Sequence, residues 1–299
     1  MKKITVYIFA ITLLLLGGCN QEKEPIPAYI HLESFDVTTD GTQGTAASKI
    51  TDAWFSLKTE GFLGVYELPK TFPVLAEGKT TMFIQPGIKT NGINGTPDIY
   101  PFFEDQEVEV DLTPGETHNI NLHTQYKSSV IFEYLEDFDG GNTLTIFPDT
   151  SAKADVTTTS AGAFEGKSAL FTLDENHPII QVASNKLMPR DNPDTSPIEG
   201  LPLQGGSSIF LEMHYKNEGV LQVGLVGYKS GSTTPIRSFF IALNPKGEWN
   251  KIYINLTDEL LSTSSDLENF QILFGANLPE GQTSATFQID NLKVLHVKI

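Results

Sequence analysis

The stretch from Gly247 to Thr257 reads GEWNKIYINLT, and its alternation of apolar and polar side chains decides the fold prediction. Successive side chains of a β-strand point to opposite faces of the sheet, so this period of two predicts a strand with one buried face. Trp249, Lys251 and Tyr253 are predicted to face outward, toward solvent or a flanking loop. Three aliphatic side chains are predicted to face the core: Ile252, Ile254 and Leu256.

The same alternation recurs upstream, between Ser207 and Lys216. Strands of this kind follow one another along the chain, separated by turns that draw on 25 glycines and 17 prolines, and few segments show helical spacing. The sequence therefore predicts an all-β protein. The two faces of this second strand are predicted to hold Ile209, Leu211, Met213 and Tyr215 on one side and Phe210, Glu212, His214 and Lys216 on the other.

Length and rhythm predict two folded domains behind a short leader. At 299 residues with 39% hydrophobic side chains, the chain is long enough for two domains with separate cores. The predicted parts are a signal peptide at 1–19, a tether at 20–27, a small antiparallel β-sandwich at 28–126 and a larger jelly-roll β-sandwich at 127–299.

The small domain resembles a known module. Residues 52–57 (DAWFSL), 64–69 (GVYELP) and Glu77-Gly78 are similar to PEGA-type or carboxypeptidase-regulatory-type β-modules, which mostly act as spacers or recognition modules at cell surfaces. The usual Asp-Gly between the first two strands is missing here. The connection Lys58-Thr59-Glu60 predicts a hairpin in its place.

A longer insert, GIKTNGINGTPDIYPFF at 87–103, ends in three aromatic residues. Two interpretations are open: a ligand-contacting loop, or an inward-folded plug for one end of the small sandwich. The plug is favoured, because closely spaced aromatic side chains are usually buried.

Three segments of the large domain resemble galactose-binding-like jelly rolls, the fold of many carbohydrate-binding modules. They are FEGKSALF at 164–171, GEWNKIYINLT at 247–257 and FQIDNLKV at 287–294. The resemblance implies two antiparallel sheets with the first and last strands side by side. It also implies a glycan as the ligand class.

A sheet face that carries aromatic and planar polar side chains together suits a sugar. The C–H face of a pyranose stacks on an aromatic ring while its hydroxyl groups form hydrogen bonds. The alternative is that such residues simply occupy a half-exposed sheet face or cover a sandwich edge. The predicted glycan-binding residues are Glu212, His214, Tyr228, Arg237, Trp249 and Tyr253.

Carboxylates lie at both ends of the large domain: Glu136, Asp137, Asp139 and Asp290. In galactose-binding-like modules, carboxylates at this junction often hold a structural Ca²⁺, which prefers hard oxygen ligands. The resemblance therefore implies a candidate calcium site, with simple strand termination by Asp290 as the alternative. No other cofactor is required.

The first nineteen residues, MKKITVYIFAITLLLLGGC, combine a charged start, an apolar run and small residues before the only cysteine. The run is shorter than the roughly 20 residues that span a bilayer, so it predicts a signal peptide. Leu16-Gly17-Gly18-Cys19 resembles the lipobox of bacterial lipoproteins, which implies that Cys19 is acylated and becomes the first mature residue. A secretory signal followed by an incidental thiol is the alternative.

The segment 20–27, NQEKEPIP, is polar, acidic and punctuated by proline, as expected of a tether. Acidic residues directly after the cysteine are similar to the export signals of Bacteroidetes-type lipoproteins. The resemblance implies an outer-membrane location, with the cell surface favoured over the periplasmic face.

Charge and cysteine count exclude several functional classes. A net charge of −17 repels nucleic acid and anionic membrane surfaces at long range. With its one cysteine assigned to lipid, the chain has no thiol left for a disulfide, a thiolate zinc site or a cysteine nucleophile. It contains no metalloprotease, serine-hydrolase or nucleotide-binding motif.

These observations predict a lipid-anchored envelope protein with a non-catalytic binding role, a glycan being the expected ligand. Its predicted contacts are the membrane, through the N-terminal lipid, and a glycan or another envelope protein. The alternative is a structural or assembly component of an envelope protein complex. Paired carboxylates of a glycosidase meet only in the fold, so spacing alone does not test for them.

Overall fold

A computed structural model describes residues 24–147, 154–187, 201–203, 207–263 and 266–297. These ranges form nineteen strands and one short helix, which confirms the predicted all-β class. Within them no helix could span a bilayer. The predicted signal peptide, the lipidated Cys19 and the first part of the tether lie outside the described residues.

The strands of the first sandwich are β1 (Ala28–Thr38), β2 (Asp52–Leu57), β3 (Gly61–Glu67), β4 (Lys70–Val74), β5 (Gly78–Lys89), β6 (Pro97–Ile99), β7 (Gln106–Leu112) and β8 (Thr117–Gln125). They form a three-stranded sheet, β4-β1-β8, and a second sheet in which β3, β2 and β5 are neighbours while β6 and β7 both pair with β5. The predicted hairpin is confirmed, since β2 and β3 pair antiparallel across residues 58–60. One pair, β1 with β8, is parallel, whereas the sequence predicted an antiparallel sandwich throughout.

Aromatic rings organise the core of the first sandwich. Tyr66 and Phe72 stack with ring centroids 3.7 Å apart, and Phe55 meets Phe72 edge-on at 5.0 Å. Aliphatic side chains of both sheets, such as Ile30 and Ile84, surround these rings and are fully buried. This sandwich therefore has its own hydrophobic core.

The second sandwich begins at Val130. Its strands are β9 (Val130–Glu136), β10 (Thr145–Ile146), β11 (Val156–Thr159), β12 (Ser168–Asp174), β13 (Ile179–Ala183), β14 (Ile209–Asn217), β15 (Leu221–Lys229), β16 (Pro235–Leu243), β17 (Lys246–Asn255), β18 (Leu267–Asn277) and β19 (Ser284–Val297), with the helix α1 (Thr257–Ser262) between β17 and β18.

Two sheets form this jelly-roll sandwich. The six-stranded sheet has the order β11-β12-β19-β14-β17, and β9 also pairs with β19. β19 is 14 residues long, so its first half pairs with β12 and its second half with β9. The first and last strands of the domain therefore lie side by side, as the family resemblance implied. The other sheet is five-stranded, in the order β10-β13-β18-β15-β16.

The period-two pattern predicted the core of the second sandwich correctly. Alternate side chains of β14 and β17 enter one large hydrophobic cluster, which also contains Phe171, Phe274 and Phe287 from three other strands. Burying one face of each sheet supplies the main driving force for this fold. The confirmed inward residues are Ile209, Leu211, Met213, Tyr215, Ile252, Ile254 and Leu256.

Two glycines allow the aromatic ring of Phe239 to lie close against the outer face of the five-stranded sheet. A Cβ at Gly224 would collide with the carbonyl oxygen of Ser238 and come within 3.0 Å of Phe239. At Gly275 it would lie 2.7 Å from the Phe239 ring. Phe239 belongs to β16, the edge strand. Its ring therefore occupies the space that side chains at positions 224 of β15 and 275 of β18 would otherwise fill.

We expect Gly224→Ala to destabilise the protein by about 2 kcal/mol, because the backbone oxygen of Ser238 cannot give way to the added methyl group. Gly247→Ala, in β17, is the matched control, since nothing lies within 4 Å of its Cβ position. Urea unfolding followed by circular dichroism measures both. Equal stability of the two variants would contradict the close approach described here.

Candidate ligand site

The sheet face predicted to bind glycan is covered by the first sandwich. Glu212, His214 and Tyr253 do turn outward from the core of the second sandwich, but only 0%, 3% and 1% of their surfaces are exposed. Lys49, Tyr100 and Tyr126 of the first sandwich lie against Tyr253 and Glu212, whereas His214 is covered by Phe164 of the second sandwich. The predicted ligand role is therefore wrong for Glu212 and Tyr253, which belong to an interface between the two sandwiches, and for His214, which is buried under Phe164.

The aromatic insert forms the centre of that interface. Tyr100 lies 5.5 Å from Phe210 and 4.8 Å from Tyr253, ring centroid to ring centroid. Phe102 and Phe103 pack beside it, and all three insert residues are 0% exposed. The insert is therefore a plug, but it seals the face of the second sandwich and not one end of the first.

Glu212 is the charged centre of the interface. Its carboxylate accepts hydrogen bonds from the hydroxyl groups of Tyr100 at 2.7 Å and Tyr126 at 2.8 Å, and Lys251 Nζ lies 2.6 Å away. Burial alone would raise the pKa of Glu212. The ammonium groups of Lys251 and Lys293 outweigh burial and hold that pKa below its ordinary value.

The two lysines also tie the first sandwich down. Lys251 Nζ donates to the carbonyl oxygen of Ala47, and Lys293 Nζ donates to that of Thr45, both at 2.7 Å. Burial lowers the pKa of Lys293 to about 8, against the attraction of Glu212. Lys251 thus links Glu212 to the backbone of the first sandwich, and Lys293 also donates to the Tyr126 hydroxyl at 3.3 Å.

His214 is held neutral beside this charged group. Its ring stacks on Phe164 with centroids 3.9 Å apart and planes 18° apart, and its Nδ1 is buried without a hydrogen-bond partner in the described residues. Burial lowers the pKa of His214 to about 3. The positive charges of Lys251 and Lys293 also lower it, and Glu212 opposes them.

Trp249 covers the edge of the same sheet. Its indole Nε1 donates to the carbonyl oxygen of Gly162 at 2.9 Å, and its ring lies 5.9 Å from Phe164 in an edge-on arrangement. The ring is half-buried and fixed by this loop. Its position matches the sequence-based alternative, in which an outward tryptophan covers a sandwich edge.

The four predicted calcium ligands accept hydrogen bonds from backbone N–H groups of nearby loops. The Glu136 carboxylate accepts hydrogen bonds from the backbone N–H groups of Phe138 and Thr143. The Asp139 carboxylate accepts one from the N–H group of Lys167. Among the described residues, no three acidic, histidine or cysteine side chains are placed to hold a metal ion. The predicted calcium site, Glu136, Asp137, Asp139 and Asp290, is therefore not assembled here.

Asp137 and Asp290 accept backbone amides in the same way. Asp137 Oδ1 lies 3.0 Å from the N–H nitrogen of Asp139. Asp290 accepts the N–H groups of Asn291 at 2.7 Å and Glu165 at 3.3 Å. Burial raises the pKa of Asp290 to about 7.

Tyr228 and Arg237 lie elsewhere, on the outer face of the five-stranded sheet. The Tyr228 hydroxyl donates to Gln271 Oε1 at 3.0 Å, and the ammonium of Lys186 lies 4.8 Å from the centre of its ring. Arg237 Nη1 donates to Gln181 Oε1 at 2.8 Å. These contacts fix planar polar groups beside an aromatic ring.

Apolar side chains form the floor of this outer face. Phe147, Ala183, Val226 and Leu273 are buried in a small cluster, against which Tyr228 and Phe239 pack. The guanidinium of Arg237 lies 5.1 Å from the centre of the Phe147 ring. We call the set Phe147, Gln181, Tyr228, Arg237, Phe239 and Gln271 the outer-face platform.

Sequence reasoning named two of the six platform residues and missed Phe147, Gln181, Phe239 and Gln271. A signal was present in β15, where Gln222, Gly224 and Val226 share a face with Tyr228 by simple alternation. A glycine in the middle of a strand often marks close approach by another group. Here that group is the ring of Phe239.

Comparisons with known proteins found distant likenesses in fold. No family model matches the chain, and no curated protein does. A solved carbohydrate-binding module of the β-sandwich superfamily is similar at 10% identity and a TM-score of 0.38, over 81% of this chain and 84% of the other.

Two further structures cover about half of this chain. One is a family 11 carbohydrate-binding module from Clostridium thermocellum, in complex with a β-1,3-1,4-mixed-linked tetrasaccharide. It is 14% identical with a TM-score of 0.36, and the match covers 53% of this chain and 92% of the module. A family 29 module has 16% identity, a TM-score of 0.31, and covers 56% and 86%. Likenesses this distant carry no argument about the ligand, which has to come from the side chains of this protein.

We expect Glu212→Gln to lower the free energy of unfolding by about 3 kcal/mol, because it leaves two buried ammonium groups without their counter-charge. Glu107→Gln makes the same chemical change at an exposed strand position and serves as the control. Denaturant titration measures both variants. A Glu212→Gln protein as stable as the control would show that the buried charge does not hold the interface.

The buried His214 should make the stability of the protein depend on pH. The folded state keeps His214 unprotonated down to about pH 3, whereas the unfolded chain takes up that proton below its ordinary pKa of 6.5. Stability therefore falls as the pH drops from 6.5 toward 3. His214→Phe keeps the stack on Phe164 and removes the titration, so it should lose on the order of 2 kcal/mol less than the parent between pH 6.5 and 4.5.

The control for this pH experiment is His123→Phe, because 60% of the His123 side chain is exposed. Thermal and urea unfolding at both pH values give the difference in stability for each variant. If parent and His214→Phe lost the same stability on acidification, the buried histidine would not contribute to it.

Proposed function

We propose that the protein binds a glycan on the outer-face platform and does not act on it chemically. The single observation that carries the proposal is the placement of Phe239 and Tyr228 on an apolar floor, beside planar polar groups that hydrogen bonds orient. The facing sheet of the same sandwich is closed by the first sandwich. The five-stranded sheet is thus the face on which a ligand finds aromatic and polar groups together.

The two aromatic rings supply the stacking surface. Phe239 lies over Gly224 and Gly275, which have no side chain to lift it off the sheet, and it remains half-exposed. Tyr228 is also half-exposed. Partly exposed rings held against a rigid sheet bind the C–H face of a sugar at little cost in conformational entropy.

The polar groups supply direction. Arg237 and Gln181 form one hydrogen-bonded pair, and Tyr228 and Gln271 form another, so each is oriented before a ligand arrives. Gln271 is further fixed by donating to the carbonyl oxygen of Ser184 at 2.6 Å. Oriented amide and guanidinium groups suit hydroxyl groups spaced along a saccharide.

The proposal places this binding role in the cell envelope. The lipobox-like sequence supports acylation of Cys19, and the acidic segment behind it supports an outer-membrane location, at the cell surface more than on the periplasmic face. The first sandwich follows the predicted tether along the chain, so it would stand between the lipid and the second sandwich, which carries the platform. A lipid anchor of this kind would hold the platform near the membrane.

One observation favours a second candidate function, docking of another envelope protein. On the exposed sheet of the first sandwich, Phe62 is 58% exposed and Phe83 is 37% exposed, and Trp54 lies 5.7 Å from Phe62. Exposed aromatic side chains grouped on one sheet suit a protein contact. This role would make the chain an assembly component.

The test of the glycan proposal is a glycan array on the purified protein, followed by affinity measurements on Tyr228→Ala and Phe239→Ala. Loss of either ring should weaken binding about tenfold or more, because the stacking surface is removed. Tyr29→Ala removes a tyrosine that is 37% exposed on the first sandwich and should bind as the parent does.

Two results would contradict the glycan proposal. One is an array without binding by a protein whose circular dichroism spectrum shows it folded. The other is a bound glycan whose affinity is unchanged in both platform variants. In either case, cross-linking in membranes that is lost with Phe62→Ser and Phe83→Ser would support the assembly role.

A further inference from the structure

A cleft of about 220 Å³ opens between the two sandwiches, beside the buried interface. Residues 49–51 and 89–94 of the first sandwich wall one side, and parts of β14 and β17 wall the other. The cleft is unusual in its charge, because the whole chain has 37 acidic residues against 20 basic ones. Four of the lining residues are lysines: Lys49, Lys89, Lys246 and Lys251.

Two of these lysines are neutralised by buried carboxylates. Lys89 Nζ lies 2.9 Å from Asp52 Oδ1, and Lys251 Nζ lies 2.6 Å from Glu212 Oε2. Asp52 and Glu212 are 2% and 0% exposed, so these pairs belong to the protein interior. They support the wall of the cleft, whose remaining charged groups are the other two lysines and the carboxylate of Glu67.

Lys49 and Lys246 have no such partner. Lys49 Nζ donates to the neutral amide oxygen of Asn250 at 2.5 Å, and no carboxylate of the described residues forms an ion pair with either lysine. Burial lowers the pKa of Lys49, and the like charge of Lys246 lowers it further. Two ammonium groups therefore repel one another across the cleft.

The rest of the lining suits an anion that also carries hydroxyl groups. Asn250, Asn94 and Thr51 offer neutral hydrogen-bonding groups, and Glu67 is the lining carboxylate that remains outside an ion pair in the described residues. A carboxylate in this position accepts hydrogen bonds from hydroxyl groups. The volume lies below the roughly 300 Å³ at which pockets for drug-sized ligands begin, which limits the ligand to a small group.

We propose that this cleft is a second ligand site, which binds an oxyanion through Lys49 and Lys246. The ligand class is a carboxylate, sulfate or phosphate group on a molecule no larger than one monosaccharide. The site is separate from the outer-face platform, so its existence does not depend on glycan binding there. An oxyanion between the two ammonium groups replaces their repulsion by two charge-assisted hydrogen bonds.

Such binding has a direct signature at Lys49. A bound anion stabilises the charged form of a lysine, so the pKa of Lys49 rises toward its ordinary value when the site fills. Reductive dimethylation with ¹³C-formaldehyde keeps the lysine charge and makes each methyl signal visible by NMR. The Lys49 signal is assigned by its loss in Lys49→Arg.

The experiment titrates the purified chain separately with inorganic phosphate, inorganic sulfate and glucuronate, at constant ionic strength so that screening does not change. We expect a saturable rise in the Lys49 pKa with at least one of the three anions. Lys246→Gln should weaken that binding at least tenfold. Lys167→Gln removes the same charge at an exposed site outside the cleft and should leave the affinity unchanged.

The three anions distinguish the sources of the oxyanion. Saturation by glucuronate alone supports an acidic sugar as the ligand, whereas saturation by phosphate or sulfate supports a phosphorylated or sulfated one. The proposal is overturned if no anion saturates the Lys49 signal, or if Lys246→Gln binds as tightly as Lys167→Gln does. Loss of glycan binding to the platform alters neither outcome.

Discussion

The structure depends on one buried carboxylate, that of Glu212. A carboxylate removed from water is stable only when positive charges and hydrogen-bond donors surround it. Lys251 and Lys293 supply the charges from within the second sandwich, but the hydroxyl groups come from Tyr100 and Tyr126 of the first. The second sandwich therefore completes its own charged face only when the first sandwich covers it.

The same constraint separates the two sheets of the second sandwich by role. The six-stranded sheet carries charged and aromatic side chains on its outer face, and Glu212, Lys251 and Tyr253 among them are buried in the contact with the first sandwich. Within the described residues the platform on the five-stranded sheet makes no contact with the first sandwich, and its rings Tyr228 and Phe239 remain half-exposed. Ligand contacts and domain contacts are thus assigned to opposite faces of one sandwich.

Charge is distributed in an equally uneven way. The chain is strongly acidic, yet its lysines are concentrated where the two sandwiches meet. Lys89 neutralises Asp52 within the first sandwich and Lys251 neutralises Glu212 within the second, while Lys251 and Lys293 also donate hydrogen bonds to the backbone of the first sandwich. At the margin of the interface, Lys49 and Lys246 exceed what the carboxylates there neutralise, which creates the anion-selective cleft. Both effects follow because lysine side chains lie at the contact between the two sandwiches.

The sequence by itself determined the strands and the core. Period-two alternation requires no knowledge of neighbours, because consecutive side chains of any strand point to opposite faces. It assigned Ile252, Ile254 and Leu256 to the interior. The β2–β3 hairpin could be predicted in the same way, because its two strands are separated by only residues 58–60. The predicted site shared this basis, since Glu212 and Tyr253 were correctly assigned to an outward face.

Only the tertiary structure decided what lies against that face. Alternation predicts that a side chain leaves the core, but the partner that then meets it comes from a remote part of the chain. Tyr100 reaches Glu212 from 112 residues away. The platform was hidden for the same reason, since Phe147, Gln181 and Phe239 come from three separate strands or loops and meet only when the five-stranded sheet has formed.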